Sequence, residues 1–462
     1  MAEVLVIGGG AAGMMAAWAA ARAGARVTLI EHNEKLGKKV YITGKGRCNL
    51  TNDCGVDEFL AQVPRNPRFL YSALNRFGPR DMMALLESAG CPVTVQRGRR
   101  VFPASEKASD VTKAMTALMK AEGVRVRLNT GLEALRFQET EDTDTEAAAE
   151  RNVKARFSGE TDSVCERSSE AVTKPSSGQN GRREQRFTGE RIVTGALLTD
   201  GSFLRADAVV LAMGGWSYPA TGSTGDGYRI AREAGYTVTP PSPVLVGIET
   251  LEAWPRGLQG LSLKNVRLSL KNGRKTVWTE LGEMLFTHFG VSGPLVLEAS
   301  CHLPEDPKKA ELEIDFKPGL SPEQLDARLR RDFAADGRKR LSTVLGGLLP
   351  GRLAEVFPSL CGVAGEICCS QVSGAQRESV ARALKGLTIG IRSPRPIEEA
   401  VVTRGGVSVR QVDPGTMAGK LHRNLYFAGE MLDVDAHTGG YNLQIAWSTG
   451  FVAGEAAARL MI

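Results

Sequence analysis

The sequence predicts an α/β fold, in which a Rossmann-like domain on a parallel sheet is interrupted by an inserted domain of strands followed by helices. Three observations predict it. A strand, a glycine turn, a helix and a second strand open the chain; a texture of alternating strands fills the middle; a second glycine-led corner returns near the end.

The opening unit comes first. Val4-Leu5-Val6-Ile7 is a short apolar strand running into Gly8-Gly9-Gly10-Ala11-Ala12-Gly13, and an Ala-rich helical stretch follows to about residue 23. The next apolar run, 26–31, closes on Glu31. Amides at a helix N-terminus hold an anionic pyrophosphate, and glycines let the phosphate approach the backbone. An acid about 20 residues downstream can accept from ribose hydroxyls. Gly8, Gly10, Ala12, Gly13 and Glu31 are therefore candidates for a dinucleotide site.

Residues 124–128 form a third parallel-type strand, with the amphipathic stretch Val111–Ala121 as a crossover helix. Gly131–Phe137 and Arg191–Thr199 are strand-like and flank a polar stretch, 138–190, that is nearly free of large apolar residues. Such a composition cannot offset the entropy of ordering, so a disordered hairpin insertion is expected there. Ala206–Met213 resumes as a buried strand ending in Gly214-Gly215. Gly222–Gly227 precedes a helix at Tyr228–Ala234, either as an anion-binding start or as one with Asp226 in its first turn.

A Pro-rich boundary at Pro240, Pro241 and Pro243 introduces the inserted domain. Ser262–Leu270 and Ala310–Phe316 alternate as antiparallel strands, with a tight turn at Asn272-Gly273. Ser321-Pro322-Glu323 starts a helical pattern reaching about Leu348, and Gly374–Leu384 is a second helix. The expected division is 1–239 and 403–462 for the two parts of the nucleotide-binding domain, with 240–402 inserted.

The return is marked by Leu425-Tyr426-Phe427-Ala428-Gly429-Glu430 and by Gly439-Gly440-Tyr441-Asn442-Leu443, which opens the last helix. Two glycine-led helix starts suit a long cofactor held at both ends, which is FAD; NAD needs only the first. A positive helix end near the flavin stabilises its reduced, negative form. Between the two lies Lys38–Asn49, a loop whose Gly44 and Gly46, with cations and hydroxyls such as Lys39, Thr43 and Arg47, can wrap a pyrophosphate and reach the isoalloxazine.

Composition sets bounds. With 462 residues the chain exceeds one core, and 42% hydrophobic with 24% charged residues is ordinary for a globular protein. The net charge of +6, from 58 basic and 52 acidic residues, suits an anionic cofactor without implying nucleic acid. Runs such as Arg182, Arg183 and Arg186, or Arg338-Lys339-Arg340, are expected to be solvated faces. No apolar run spans a bilayer and no leader precedes the first strand, so a cytoplasmic chain is expected. Eight scattered cysteines do not make a disulfide framework, and the His and Cys spacings suggest no metal site.

The segments GGGAAG, KKVYITGKGRCNLTN, LAMGGWSYPATGSTGDG, THFGVSGP and LYFAGEMLDVDAHTGGYNLQIAWSTG together resemble one bacterial flavoprotein family. It comprises the aminoacetone-oxidase-family FAD-binding enzymes, also described as bile-acid Δ4,6-reductase-like NAD(P)/FAD-dependent oxidoreductases. The resemblance covers nearly the whole chain except 138–190. It implies a glutathione-reductase-type FAD domain interrupted by a small β-barrel plus helices. It also implies FAD contacts at Gly8, Gly10, Gly13, Glu31, Lys39, Gly44, Arg47, Cys48, Asn49, Gly214, Gly429, Glu430, Asn442 and Leu443, with the Leu132 backbone meeting the adenine.

No second glycine fingerprint follows a strand, so NAD(P)H is expected as a diffusible donor entering through the substrate cleft. The Gly-Gly and TGSTGDG segment is also similar to fumarate reductase and ketosteroid dehydrogenase flavoproteins, which act on a C=C beside a carbonyl. The expected reaction is hydride transfer through flavin N5 to such a bond, in a 3-oxo-Δ4 bile-acid-like or other apolar, carbonyl-bearing small molecule. Amine oxidation of the aminoacetone type and RNA modification are the alternatives. Candidate donors are His288, Tyr441 and Arg404. His437 is expected at the surface because Asp433, Asp435 and Thr438 make its segment polar. A redox pair of Cys48 and Cys54 would need a lowered thiol pKa. Cys368-Cys369 is expected to be a buried pair.

Overall fold

The computed structural model describes residues 1–138 and 191–460. The expected disorder of 138–190 therefore concerns residues that lie, past the first, outside those described. Strands β1 (Glu3–Ile7), β2 (Arg26–Ile30), β3 (Arg125–Arg127), β4 (Ala208–Leu211) and β5 (Leu425–Phe427) form one sheet in the order β5-β4-β1-β2-β3, every neighbour parallel. β1 is central, and Val4 to Ile7 are at most 2% exposed. Burial on both faces is what makes these strands continuous apolar runs rather than alternating ones.

Helix α1 (Ala11–Arg22) is buried from Ala11 to Ala21 with no polar stripe. A helix apolar all round must be covered all round. Its cover is α2 (Tyr441–Ala458), the last helix. A Cβ on Gly450 would stand 2.4 Å from Ala12 O, and one on Gly454 would stand 2.2 Å from Ala16 O. Glycines here let two backbones touch. Because the contact register rises together on both helices, α1 and α2 run parallel.

The middle of the chain closes a six-stranded barrel from Ile248–Thr250, Gly290–Ser292, Lys275–Phe286, Ser262–Asn272, Ala310–Asp315 and Leu387–Pro394, in that order, every pair antiparallel. Alternate residues Val266, Leu268 and Leu270 point inward. The turn after Asn272 is tight as expected, with Asn272 opposite Lys275 and Gly273 at φ +57°. Helices Pro322–Ala335, Gly351–Leu360 and Gly374–Gly386 pack on the barrel, and their Leu325, Leu329, Phe357 and Leu384 join a core distinct from that of the parallel sheet.

Ser321 caps its helix as the sequence indicates, accepting from Gln324 N at 3.2 Å while the Gln324 side chain accepts from Ser321 N at 2.9 Å. The helical pattern expected to reach Leu348 instead breaks after Ala335 and resumes at Leu341–Leu345. The reason lies elsewhere in the chain: Gly337 O and Lys339 O accept from Ser370 N and Cys369 N, so these residues pair rather than coil. The prolines near 240 stand in a strand, Val238–Val244, that pairs antiparallel with Val402–Val407 and bulges between Thr239 and Ser242. A two-stranded ribbon with a bulge tolerates missing N–H donors. This ribbon carries the chain toward the barrel and back.

Short helices at Val56–Leu60, Tyr71–Arg76 and Pro79–Ser88 were not legible in the sequence. Segments this short show too little of a 3.6-residue period. No helix among the described residues is long and apolar enough to cross a membrane.

Candidate functional site

The first glycine corner divides its labour. Gly8 has φ +101°, and a Cβ on Gly13 would stand 1.7 Å from Gly8 O, so both are demanded by the turn itself. A Cβ on Gly10 would meet nothing within 4 Å. Gly10 is the N-cap of α1, with no side-chain cap and no acid in the first turn. An uncapped helix N-terminus facing open space suits the anion a dinucleotide presents. Ala12 lies in this turn, and Gly429 (φ +68°) abuts it, since a Cβ there would stand 2.8 Å from Ala12 Cβ.

Glu31 is 7% exposed. Its Oε2 accepts from Gly9 N at 2.7 Å, and its Oε1 accepts from Asn33 N and Nδ2 at 2.8 and 2.7 Å. The acid at the end of β2 is thus locked against the glycine turn. Asn33 Nδ2 also donates to Thr221 O, which draws the TGSTGDG segment to the same end of the sheet. A Cβ on Gly214 would stand 2.8 Å from Ser223 Oγ in that segment. The helix there, Asp226–Glu233, has Asp226 in its first turn, and Thr224 Oγ1 donates to Asp226 Oδ2 at 2.6 Å. Leu132 begins a neighbouring strand and is buried.

The 38–49 loop is held by a long-range cluster. Lys39 Nζ is 2.7 Å from Glu430 Oε2 and 2.6 Å from Ser217 Oγ, while Thr403 N donates to Glu430 Oε1 at 2.7 Å. Burial would raise the Glu430 carboxyl, but the Lys39 ammonium and these donors outweigh it and hold it below its usual range. Gly44 and Gly46 take φ +57° and +87°. Thr43 Oγ1 donates to Val40 O, and Arg47 lies 4.5 Å over the Phe102 ring, bonding outward to Glu106. Arg47 thus does not meet the other candidates through its side chain, whereas the Thr43 side chain also bonds to the Cys48 thiol.

Cys48 is fully buried, and burial pushes its thiol up to about 12; Cys54 is pushed up to about 11 by burial and Glu58. A reactive thiol needs the opposite shift. Of Cys368 and Cys369, only the second is buried. Asn49, with its amide oriented to satisfy both ends, accepts from Gly440 N at 3.1 Å and donates to Thr51 O at 3.2 Å.

At the second corner, Gly439 and Gly440 have φ +124° and +99°, and no side chain of the cap residue closes α2. Asn442 turns its side chain back, accepting from Ala436 N at 2.9 Å and donating to Ala436 O at 2.7 Å, so what remains for a ligand is its backbone. Leu443 packs against the main core. Tyr441 stands edge-on to Phe59 at 5.1 Å, and burial keeps its phenol neutral by raising it to about 12. Arg404 is clamped by buried Asp435, at 3.0 Å from Nε and 2.7 Å from Nη2. His288 is exposed, edge-on to Phe289.

A further expectation is corrected. His437 is not a surface residue: its side chain is 18% exposed and sits at the seam between the barrel and the Rossmann core. Its Nε2 lies 3.2 Å from His302 Nε2, and its Nδ1 3.3 Å from Gln62 Oε1. Its polar neighbours are turned to internal partners, Asp433 to Arg65 and Asp435 to Arg404. His302 and Glu298, which complete this group, carry no sequence signal, because they lie about 140 residues from His437.

The two corners form one geometry. With Gly450 against Ala12 and α1 parallel to α2, the first turn of α2 lies eight residues ahead of that of α1, about 12 Å along the shared direction at 1.5 Å per residue. Two helix ends of the same polarity thus lie in tandem along one side of the sheet.

Comparison with known proteins places these features in context. The family described as "HI0933-like protein Rossmann domain" matches residues 2–157 and 183–456. A protein of Clostridium scindens named 3-dehydro-bile acid delta(4,6)-reductase is 28% identical over 463 residues, 99% of each chain. Proteins named ribosomal RNA dihydrouridine synthase are similar as well. The one from Haemophilus influenzae is 26% identical over 97% of this chain and 96% of its own, and that from Escherichia coli is 28% identical over 98% and 97%.

Proposed function

The chain belongs to the HI0933-like family of Rossmann-fold flavoprotein oxidoreductases, and from that premise we propose that it uses FAD and NAD(P)H to add hydrogen across a C=C conjugated with a carbonyl. The observation that carries the reading is the tandem of uncapped helix ends about 12 Å apart. One suits a pyrophosphate and the other the far end of an elongated cofactor. Bound FAD would supply a two-electron carrier that accepts and returns hydride at N5.

The protein's own residues do the rest. Gly10 and the first turn of α1 hold the phosphates, with Gly8 and Gly13 shaping the turn. Glu31 accepts from the ribose. Lys39 and Glu430 pin the 38–49 loop against the return strand, while Gly44, Gly46, Cys48 and Asn49 offer backbone. Asn442 and Leu443 present amides to the flavin edge, while Gly440, its own amide held by Asn49, shapes the turn before them. Tyr441, a neutral phenol, and Arg404 are proposed to polarise the substrate carbonyl, and His288 to close over the site.

The substrate class is a 3-oxo-Δ4 bile-acid-like or steroid-like molecule, which the name of the Clostridium relative supports. A second reading has a specific support: the names of the Haemophilus and Escherichia relatives specify uridine in ribosomal RNA. The uracil 5,6 bond is itself conjugated with a carbonyl, so the bond chemistry is shared and only the substrate's carrier differs.

One experiment tests both. Purified yellow protein is reduced anaerobically by NADH or NADPH and then offered a 3-oxo-Δ4 steroid or unmodified ribosomal RNA. Bleaching near 450 nm (approximately the band of oxidised flavin) followed by reoxidation with the steroid supports the first reading. Dihydrouridine detected by mass spectrometry supports the second. Flavin that neither pyridine nucleotide bleaches removes the donor, and peroxide release with an amine and oxygen would replace reduction by amine oxidation.

A further inference from the structure

One carboxylate oxygen at the seam has no hydrogen-bond donor among the described residues. Glu298 stands on the helix Pro294–Ser300 of the inserted region. Its Oε1 accepts from Thr438 N at 2.9 Å and from the Thr438 hydroxyl. Its Oε2 is buried and meets no hydrogen-bond donor among the described residues. The ring nitrogen His437 Nδ1 is 3.8 Å away. A buried acceptor left unmatched bears its full desolvation cost, so native proteins supply a proton, a water or a ligand at such a point.

The imidazoles extend the group. His437 Nδ1 faces two acceptors, Gln62 Oε1 and Glu298, and therefore carries a hydrogen. Its Nε2 faces His302 Nε2 at 3.2 Å, and one hydrogen fits between them. His437 is thus either neutral, accepting from His302, or a cation donating to it. Trp278 stacks on His302 at 6.2 Å. Glu280, Cys301, Arg404, Asp435 and Tyr441 are the other titratable groups that act on this cluster.

We propose that Glu298, His437 and His302 are a proton store for the reduction, with Glu298 Oε2 as the delivering end. The proposal rests on the reductive reading above. Thr438, which Glu298 holds, directly precedes the Gly439-Gly440 turn assigned to the flavin edge. In the reaction a hydride adds to the β-carbon and the π pair moves toward the α-carbon and carbonyl. The Glu298 O–H bond breaks as the α-carbon gains its C–H bond. The alkene is reduced and the dihydronicotinamide oxidised. Glu298 then regains a proton from His437, which solvent reloads through His302. The electrostatics agree: burial raises the Glu298 carboxyl above its usual range, while burial and the neighbouring His437 and Arg404 lower His302 to about 4. His302 is therefore neutral at pH 7. Glu298 is the donor; His437 and His302 are positioning residues.

The test uses holoprotein with labelled imidazoles, which the five histidines of the sequence make tractable. In Glu298→Gln the proton affinity of His437, read by NMR, should fall about tenfold while His32 and His288 stay put. In the same variant the rate of reoxidation by enone or uracil, divided by the rate of flavin reduction, should fall about 100-fold or more. Its solvent deuterium effect should change too. His302→Gln should also alter the His437 titration, and it carries the comparison if Glu298→Gln loses its flavin band. An unchanged His437 titration in both variants, or an unchanged rate ratio, overturns the proposal. If wild-type protein is reoxidised by neither acceptor, the reductive reading fails and Glu298 has no delivery to make, whatever the NMR shows.

Discussion

A Cβ on Gly13 would stand 1.7 Å from Gly8 O, whereas a Cβ on Gly10 would meet nothing within 4 Å. These neighbours should therefore fail differently. Gly13→Ala must displace backbone and should cost roughly 3 kcal/mol, near the top of the usual range for overpacking, seen as a lower melting temperature with or without cofactor. Gly10→Ala should melt within about 0.5 kcal/mol of wild type, as surface changes usually do. Its methyl occupies the space assigned to phosphate, so FAD should bind at least tenfold more weakly, about 1.4 kcal/mol. Equal FAD affinity in Gly10→Ala would remove the pyrophosphate from this helix end. At the same scale, Glu31 was legible because its spacing from the glycines is local. His437 was misplaced because its neighbours Asp433 and Asp435 looked solvated, yet both are turned toward arginines from other segments.

Among the elements, the parallel contact of α1 with α2 sets how far apart the two glycine corners stand. Gly454→Ala would put a methyl 2.2 Å from Ala16 O, on backbone that cannot yield like a side-chain tip. We expect a loss of about 1–3 kcal/mol of stability. We also expect a fall in the flavin retained through gel filtration, since the helix offset is what matches the cofactor's length. Normal flavin content in a destabilised Gly454→Ala would detach that offset from cofactor binding. Elements governed by neighbouring residues, such as the Asn272-Gly273 turn and the Ser321 cap, were legible. The helix break at 336–340 was not, because it follows from pairing with 369–370, a contact invisible in a local window.

For the whole molecule, the parallel sheet and the barrel with its helices have separate cores. We propose that these correspond to 1–239 with 403–462 and to 240–402. Calorimetry should then resolve two transitions. Adding FAD at 100 times its Kd should stabilise only the Rossmann unit, by about 2.7 kcal/mol, leaving the other transition in place. A single transition that moves as one would show that the Glu298–Thr438 and His302–His437 seam fuses both cores into one cooperative unit.

Amino-acid order alone determined the two glycine corners, the acid after the second strand and the alternation of the inserted strands. Each of these depends on backbone freedom or periodicity within a few residues. Only the tertiary structure decided the parallel docking of the first and last helices, the closure of the barrel and the meeting of Glu298 with His437. Those depend on groups more than a hundred residues apart, whose contact arises from packing and burial and leaves no spacing in the chain to read.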